Sequence, residues 1–231
     1  MRTVIAGGHG KIALLLADLL TRRGDEVAAL IRNQDHAADV TAVGAEPVLL
    51  DLEQADSADL LATVKGSDAV VFAAGAGAGS GAARKYTVDR DGSVRLADTA
   101  ERAGVRRFVQ ISTMGAGQPP APGSDEVWAA YIDAKTQAEN DLRERDLAWT
   151  ILRPGRLVDS AGTGLVTLAA PRVPRGDIAR ADVAAVLAEL LPATHTAGAT
   201  LELVSGDTAI SRAVAELADR ATSAGAAPLT D

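Results

Sequence analysis

Tyr131 and Lys135, in the run Tyr131-Ile132-Asp133-Ala134-Lys135, have the types and spacing for proton chemistry. Residues four apart share one face of a helix. An ammonium near a phenol favours the phenolate, so the tyrosine can act as acid or base nearer neutral pH. The competing reading is a surface tyrosine beside an unrelated lysine. Ser112 and Thr113 close an apolar run that begins at Phe108. Their hydroxyls can hydrogen-bond a substrate oxygen or simply cap the next turn.

A second set suits phosphate. Thr3–Ala6 is a short apolar run, Gly7-Gly8-His9-Gly10 breaks it, and Leu14 to Leu20 recurs at helical spacing. Strand, glycine turn and helix in that order make a dinucleotide-binding signature: Gly8, Gly10 and Ala13 fit G-x-G-x-x-G/A, and Gly7, Gly10 and Ala13 fit G-x-x-G-x-x-A. The helix N-terminus then offers N–H groups and partial positive charge to a pyrophosphate. Arg32 closes the second apolar run, where an acidic residue would select NAD and an arginine suits the 2′-phosphate of NADP. Asp35, three residues on, competes as a partner for the ribose. Asp51 ends the third run and can accept from an adenine amino group or cap a helix. Ala73-Ala74-Gly75 ends the fourth, small enough for a ribose or pyrophosphate to approach.

These residues need a scaffold that gathers strand ends. Apolar runs at 2–6, 26–31, 46–50, 68–74, 106–111, 147–152 and 199–204 alternate with helical patterns at 11–23, 35–43, 56–64, 84–103, 126–145, 178–191 and 208–220. Such alternation predicts a doubly wound α/β Rossmann fold: a parallel sheet of about seven strands, ordered 3-2-1-4-5-6 through the first six, with helices on both faces. One domain over residues 1–220 is expected, with substrate-side elements mainly at 153–210 and a fraying tail at 221–231. Gly24 after Arg22-Arg23 and Gly104 after Arg102 read as helix C-caps, with cations in the last turn. Residues 75–83, GAGAGSGAA, read as a loop over a ligand, with low complexity as the alternative. Pro154-Gly155 forces a turn at the ligand edge; Arg153 and Arg156 beside it can hold an anionic substrate group or form structural ion pairs. His195 carries no assigned role.

Composition narrows the classes. With 231 residues, a net charge of −8 and no cysteine, the chain lacks the basic face of a general nucleic-acid binder and every form of thiolate chemistry. Its 3 histidines show no metal-ligand spacing, so no metal is expected. No run of about 18 apolar residues is present, which predicts neither a membrane span nor a secretion signal and a cytoplasmic location.

Taken in order, these motifs resemble the atypical short-chain dehydrogenase/reductases of the compact NAD(P)H-binding group, which includes NmrA-like proteins, biliverdin-IXβ/flavin reductases and small bacterial oxidoreductases or sugar epimerases. Leu30–Asn33, Val88–Gly92, Ala103–Val109, Ile111–Gly117, Thr150–Gly155 and Asp177–Ala184 extend the resemblance over residues 1–210. It implies that Gly7, Gly8, Gly10 and Ile12, with His9 and Lys11 between them, hold the pyrophosphate, and that Arg32 holds the 2′-phosphate. Asp51 and Leu52 would meet the adenine, and Ala73, Ala74 and Gly75 would border the ribose. Thr113, with Ser112 beside it, takes the place of the family's active-site hydroxyl. Tyr131 becomes the acid/base, Lys135 the ligand of the nicotinamide ribose, and Pro154 a wall of the nicotinamide pocket. The implied activity is NADP(H)-dependent hydride transfer, NAD being the lesser cofactor, to or from a small carbonyl, quinone or flavin-like substrate. Sugar-nucleotide epimerisation and a non-catalytic NADP-sensing regulator are the alternatives. A small-molecule substrate is the expected partner, and the oligomeric state stays open.

Overall fold

Period-two alternation along the strands builds two cores, one on each face of a sheet. The computed structural model describes residues 1–77, 79–120 and 123–224. Its first half winds through β1 (Arg2–Ala6), α1 (Lys11–Arg22), β2 (Glu26–Ile31), α2 (Ala37–Ala42), β3 (Glu46–Leu49), α3 (Ser57–Val64) and β4 (Ala69–Phe72). A short α4 (Ala82–Arg84), a π-helix over Lys85–Asp91 and α5 (Gly92–Ala103) then run on as one rod. β5 (Arg107–Ile111), α6 (Glu126–Arg143), β6 (Ala148–Pro154), β7 (Arg156–Val158), β8 (Leu165–Ala169) and β9 (Asp177–Ala179) follow. α7 (Arg180–Leu190), β10 (Ala199–Ser205), β11 (Thr208–Ala209) and α8 (Ile210–Ala224) complete the described chain.

Ile5, Ala29, Ile31 and Val71 face one side of the sheet and pack with Leu16, Leu20, Val183 and Leu187 of α1 and α7. Val4, Leu30, Val70, Phe72 and Phe108 face the other and pack with Leu60, Leu96 and Leu142 of α3, α5 and α6. Fully buried, each of these large side chains contributes about 1.5–3 kcal/mol of transfer free energy. Asp56 caps α3 and Asp125 caps α6 through N–H groups at the helix starts, and Gly104, at φ +73°, ends α5 in the expected left-handed cap.

The main sheet runs β11-β8-β10-β6-β5-β4-β1-β2-β3. Its first six strands are parallel in the expected order 3-2-1-4-5-6. Among the described residues the sheet has 9 strands, against about seven expected. β8 joins β10 antiparallel and β11 joins β8, while β7 and β9 make a separate two-stranded parallel sheet. These added strands are at most five residues long, and pairing rather than apolar periodicity creates them. The switch point lies between β1 and β4, where Ala6 registers with Phe72, so a crevice opens beyond these strands' C-terminal ends. At the opposite edge of the sheet, buried Arg107 donates to Leu190 O, Leu191 O, Ala148 O and the Thr150 hydroxyl, tying the end of α7 to β5 and β6. Burial lowers its pKa to about 10. α8 takes up the expected tail as far as Ala224; residues 225–231 lie outside the described residues. Among the described residues no helix is long and apolar enough to cross a membrane.

Candidate active site

The glycine turn uses its glycines differently. Gly7 has φ +77°, and a Cβ there would stand 2.6 Å from Ala74 Cα, so the turn after β1 lies directly on the loop after β4. A Cβ on Gly8 would meet Ala29 Cβ at 2.6 Å, and Gly8 N–H donates to Leu30 O at 2.9 Å. Gly8 thus seats the turn on β2 and lines neither of the cavities described below. Gly10 precedes α1, and a Cβ there would meet only Gly7 O, at 3.1 Å. No side chain caps α1 and no acidic residue occupies its first turn, leaving its N–H groups for an anion. Lys11 turns outward to Asp159 at 2.7 Å, where its hydrogen bond holds that carboxyl below its ordinary value. His9 stacks on His36 at 3.7 Å and its Nε2 meets Asp39 at 2.7 Å.

Beyond the turn lies a cavity of about 370 Å³ lined by Gly7, His9, Gly10, Arg32, Asp51, Leu52 and the small residues Ala73, Ala74 and Gly75. Arg32 is exposed and has no hydrogen bond or ion pair among the described residues. Asp35, which does not line this cavity, donates its backbone N–H to Asn33 Oδ1 at 3.0 Å. Asp51 accepts from Glu53 N–H at 3.0 Å. Glu53 binds Arg84 at 2.6 Å, and Arg84 with Thr87 holds its carboxyl below the usual range against the opposing effect of burial.

Ala73, Ala74, Gly75 and Gly77 also line a second cavity of about 690 Å³. Ile12, Ser112, Thr113, Tyr131, Lys135 and Pro154 surround it. The loop expected over residues 75–83 therefore borders both spaces, with Ala78 outside the described residues. Ser112, buried just past the end of β5, has a hydroxyl with no hydrogen-bond partner among the described residues. Thr113 Oγ1 makes only a 3.4 Å contact with the next carbonyl.

Lys135 is buried, and its ammonium meets Asp89 at 3.1 Å and donates to Ile111 O at 3.2 Å. It lies 5.9 Å from the Tyr131 ring centre, and Lys85 lies 5.6 Å from that centre. Lys85 donates to the neutral Gly77 carbonyl at 3.0 Å. The charge that Lys135 presents to the phenol is thus met by a carboxylate, whereas that of Lys85 is not. Both Lys85 and Asp89 come from the π-helix, whose wide turn carries these two polar groups to one cavity wall; such insertions concentrate at functional sites.

A model of the NAD(P)H-binding family matches residues 7–194. The chain belongs to this family. A Bacillus subtilis protein named an uncharacterized sugar epimerase, YhfK, is 34% identical over 218 residues, covering 94% of this chain and 100% of its own. A solved Bacillus halodurans structure, described as NAD-dependent epimerase/dehydratase-like, superposes with TM-score 0.85 at 34% identity, covering 94% of this chain and 99% of its own. ChuY of Escherichia coli O157:H7, an anaerobillin reductase, superposes with TM-score 0.72 at 27% identity, covering 90% and 98%.

A nicotinamide dinucleotide fits what this NAD(P)H-binding protein offers. The uncapped α1 terminus, the two joined cavities and the unpartnered Ser112 hydroxyl form one cleft from Arg32 to Tyr131. Not every expected side chain reaches it. Arg153 is buried against Glu139, its Nε 2.8 Å from the carboxylate, and is a structural pair rather than a substrate anchor. Arg156 pairs with Asp177 at the surface. His195 meets Val214 O at 3.0 Å, outside both cavities. Lys85, Asp89, Glu53, Arg84 and Trp128 all line the cleft without having been singled out in sequence. Lys85 and Asp89, four apart within the expected helix 84–103, were readable as sharing one face, and Asp89 also falls in the Val88–Gly92 stretch of the resemblance.

Proposed function

We propose that the chain is an NADP(H)-dependent oxidoreductase of the short-chain dehydrogenase/reductase type, acting on a small carbonyl, quinone or flavin-like substrate. The observation that carries this reading is the gathering of Tyr131, Ser112 and Thr113 around one cavity continuous with the glycine turn. A bound nicotinamide supplies the hydride. Tyr131 gives or takes the accompanying proton at the substrate oxygen, while the Ser112 hydroxyl, lacking any other partner, donates to a ligand oxygen. Lys85 and Lys135 stand 5.6 and 5.9 Å from the Tyr131 ring centre, and of the two only Lys135 is met by a carboxylate. An ammonium has three donors; Asp89 and Ile111 O take two from Lys135, leaving one for a ribose hydroxyl. The unpaired Arg32 supports a preference for NADP over NAD, through charge-assisted bonds to the 2′-phosphate.

An acceptor screen followed by NADPH absorbance tests the assignment. Tyr131→Phe should lower turnover by about 10²–10⁴-fold with little change in cofactor Kd. Full turnover in that variant would remove the tyrosine from the chemistry. The name of the Bacillus subtilis relative supports a second reading, sugar-nucleotide epimerisation, which uses the same tyrosine. Epimerisation consumes no NADPH, so product analysis with a nucleotide sugar separates the two. Tight NADPH binding without either reaction would favour a sensing role.

A further inference from the structure

Beside the cleft, Thr113, Met114, Trp128, Tyr131, Pro154, Leu157 and Arg175 enclose a further space of about 660 Å³, within the size range of small-molecule sites. The chain has only 2 Trp and 2 Tyr, and one of each meets here: the Trp128 and Tyr131 rings lie 5.5 Å apart, tilted by 41°. Trp128 is nonetheless 47% exposed, a large aromatic side chain open to solvent. Charge accounting around both spaces is one-sided. Asp89 is bound by Lys135, Asp177 by Arg156, and Asp125 by two N–H groups at the start of α6. Arg180 is bound by Asp159. Lys85 and Arg175 are left without a carboxylate among the described residues. Arg175 is exposed and lies against the loop after β5. Its Nη2 would stand 3.8 Å from a Cβ on Gly115, which has φ +99° and leaves room for the guanidinium against the loop after β5.

We infer that the acceptor is a planar aromatic anion: its ring system lies on Trp128 beside Tyr131, and its carboxylate or sulfonate is held by Arg175. Aromatic faces suit flat π-systems, and a guanidinium fork matches a carboxylate or sulfonate. In a protein of net charge −8, an uncompensated arginine at this mouth also draws an anion toward a surface that would otherwise repel it.

This inference rests on the oxidoreductase reading, and binding measurements separate the two. Calorimetric titration of the NADP⁺-saturated protein would compare anthraquinone-2-sulfonate with 2-(hydroxymethyl)anthraquinone, which share a ring system and differ in charge. The sulfonate should bind about ten-fold tighter, and Arg175→Ala should erase that difference while leaving the neutral ring's affinity unchanged. Arg175→Lys should keep part of it. Trp128→Ala should weaken both ligands together. Equal affinities in the parent protein, an undiminished sulfonate preference in Arg175→Ala, or no binding of either ring at millimolar concentration would overturn the inference. NADPH binding and turnover of an uncharged acceptor would, in those cases, leave the oxidoreductase reading standing.

Discussion

Lys135→Met strands Asp89, and the structure sets the size of the effect. The pair is 3.1 Å apart with side chains 4% and 1% exposed, so water cannot replace the lost partner. Removing one member of such a buried pair costs about 3–5 kcal/mol, against a total domain stability of about 5–15 kcal/mol. Asp89 keeps the N–H of Ala76 at 3.0 Å, which places Lys135→Met toward the lower end of that range. Asp89→Asn leaves the lysine with only the Ile111 carbonyl and should cost a similar amount. The double variant removes both charges, so it should recover to within about 2 kcal/mol of the parent, a large positive coupling. Urea unfolding followed by far-ultraviolet circular dichroism gives all four stabilities. NADPH binding should stay weaker in the double variant despite its restored stability, since the ribose loses its ammonium donor. Single variants that each cost less than about 1 kcal/mol, or whose effects simply add, would refute the ion pair as the element that fixes this cavity wall.

Gly7→Ala combines a positive φ with a 2.6 Å clash on Ala74 and should weaken NADPH binding at least about ten-fold, measured by calorimetry, while Gly24→Ala, with open space around it, should leave binding unchanged. Arg32→Ala should weaken NADPH by about 10–150-fold, the equivalent of about 1.5–3 kcal/mol, and leave NADH binding as it was. Glu53→Gln should tighten NADPH a few-fold in the same titration by removing a negative charge beside Arg32 and Arg84. Because Arg84 and Thr87 hold the Glu53 carboxyl below its ordinary 4.5, the pair's stabilisation is fully present above that value and is lost as pH falls through the lowered one. The stability difference between parent and Glu53→Gln, followed by urea unfolding, should therefore stay flat from neutral pH to about pH 5 and shrink in more acidic buffer.

Local patterns alone determined much of this protein. Apolar runs that alternate with helical periodicity specify parallel strands and their crossovers, because burial on both faces of a sheet demands them. The glycine turn, Arg32, Ala73–Gly75, Ser112, Thr113, Tyr131 and Lys135 each follow or accompany such a run, so their gathering at one sheet edge was readable before any coordinates. What pairs with what was not. Arg153 reads as a substrate anchor or a structural ion pair until α6 brings Glu139 against it from 14 residues away. Lys135 reads as the partner of Tyr131 until the π-helix delivers Asp89, because the inserted residue breaks the spacing by which helix faces are inferred. β7, β9 and β11 are two or three residues long, too short to carry a hydrophobic period, and β8 joins the sheet through its antiparallel pairing with β10. Arg175, just before β9, stands next to Gly115 in the loop after β5, a proximity that no local pattern carries. Periodicity is a property of neighbours in the chain, whereas charge compensation and cavity shape belong to neighbours in space.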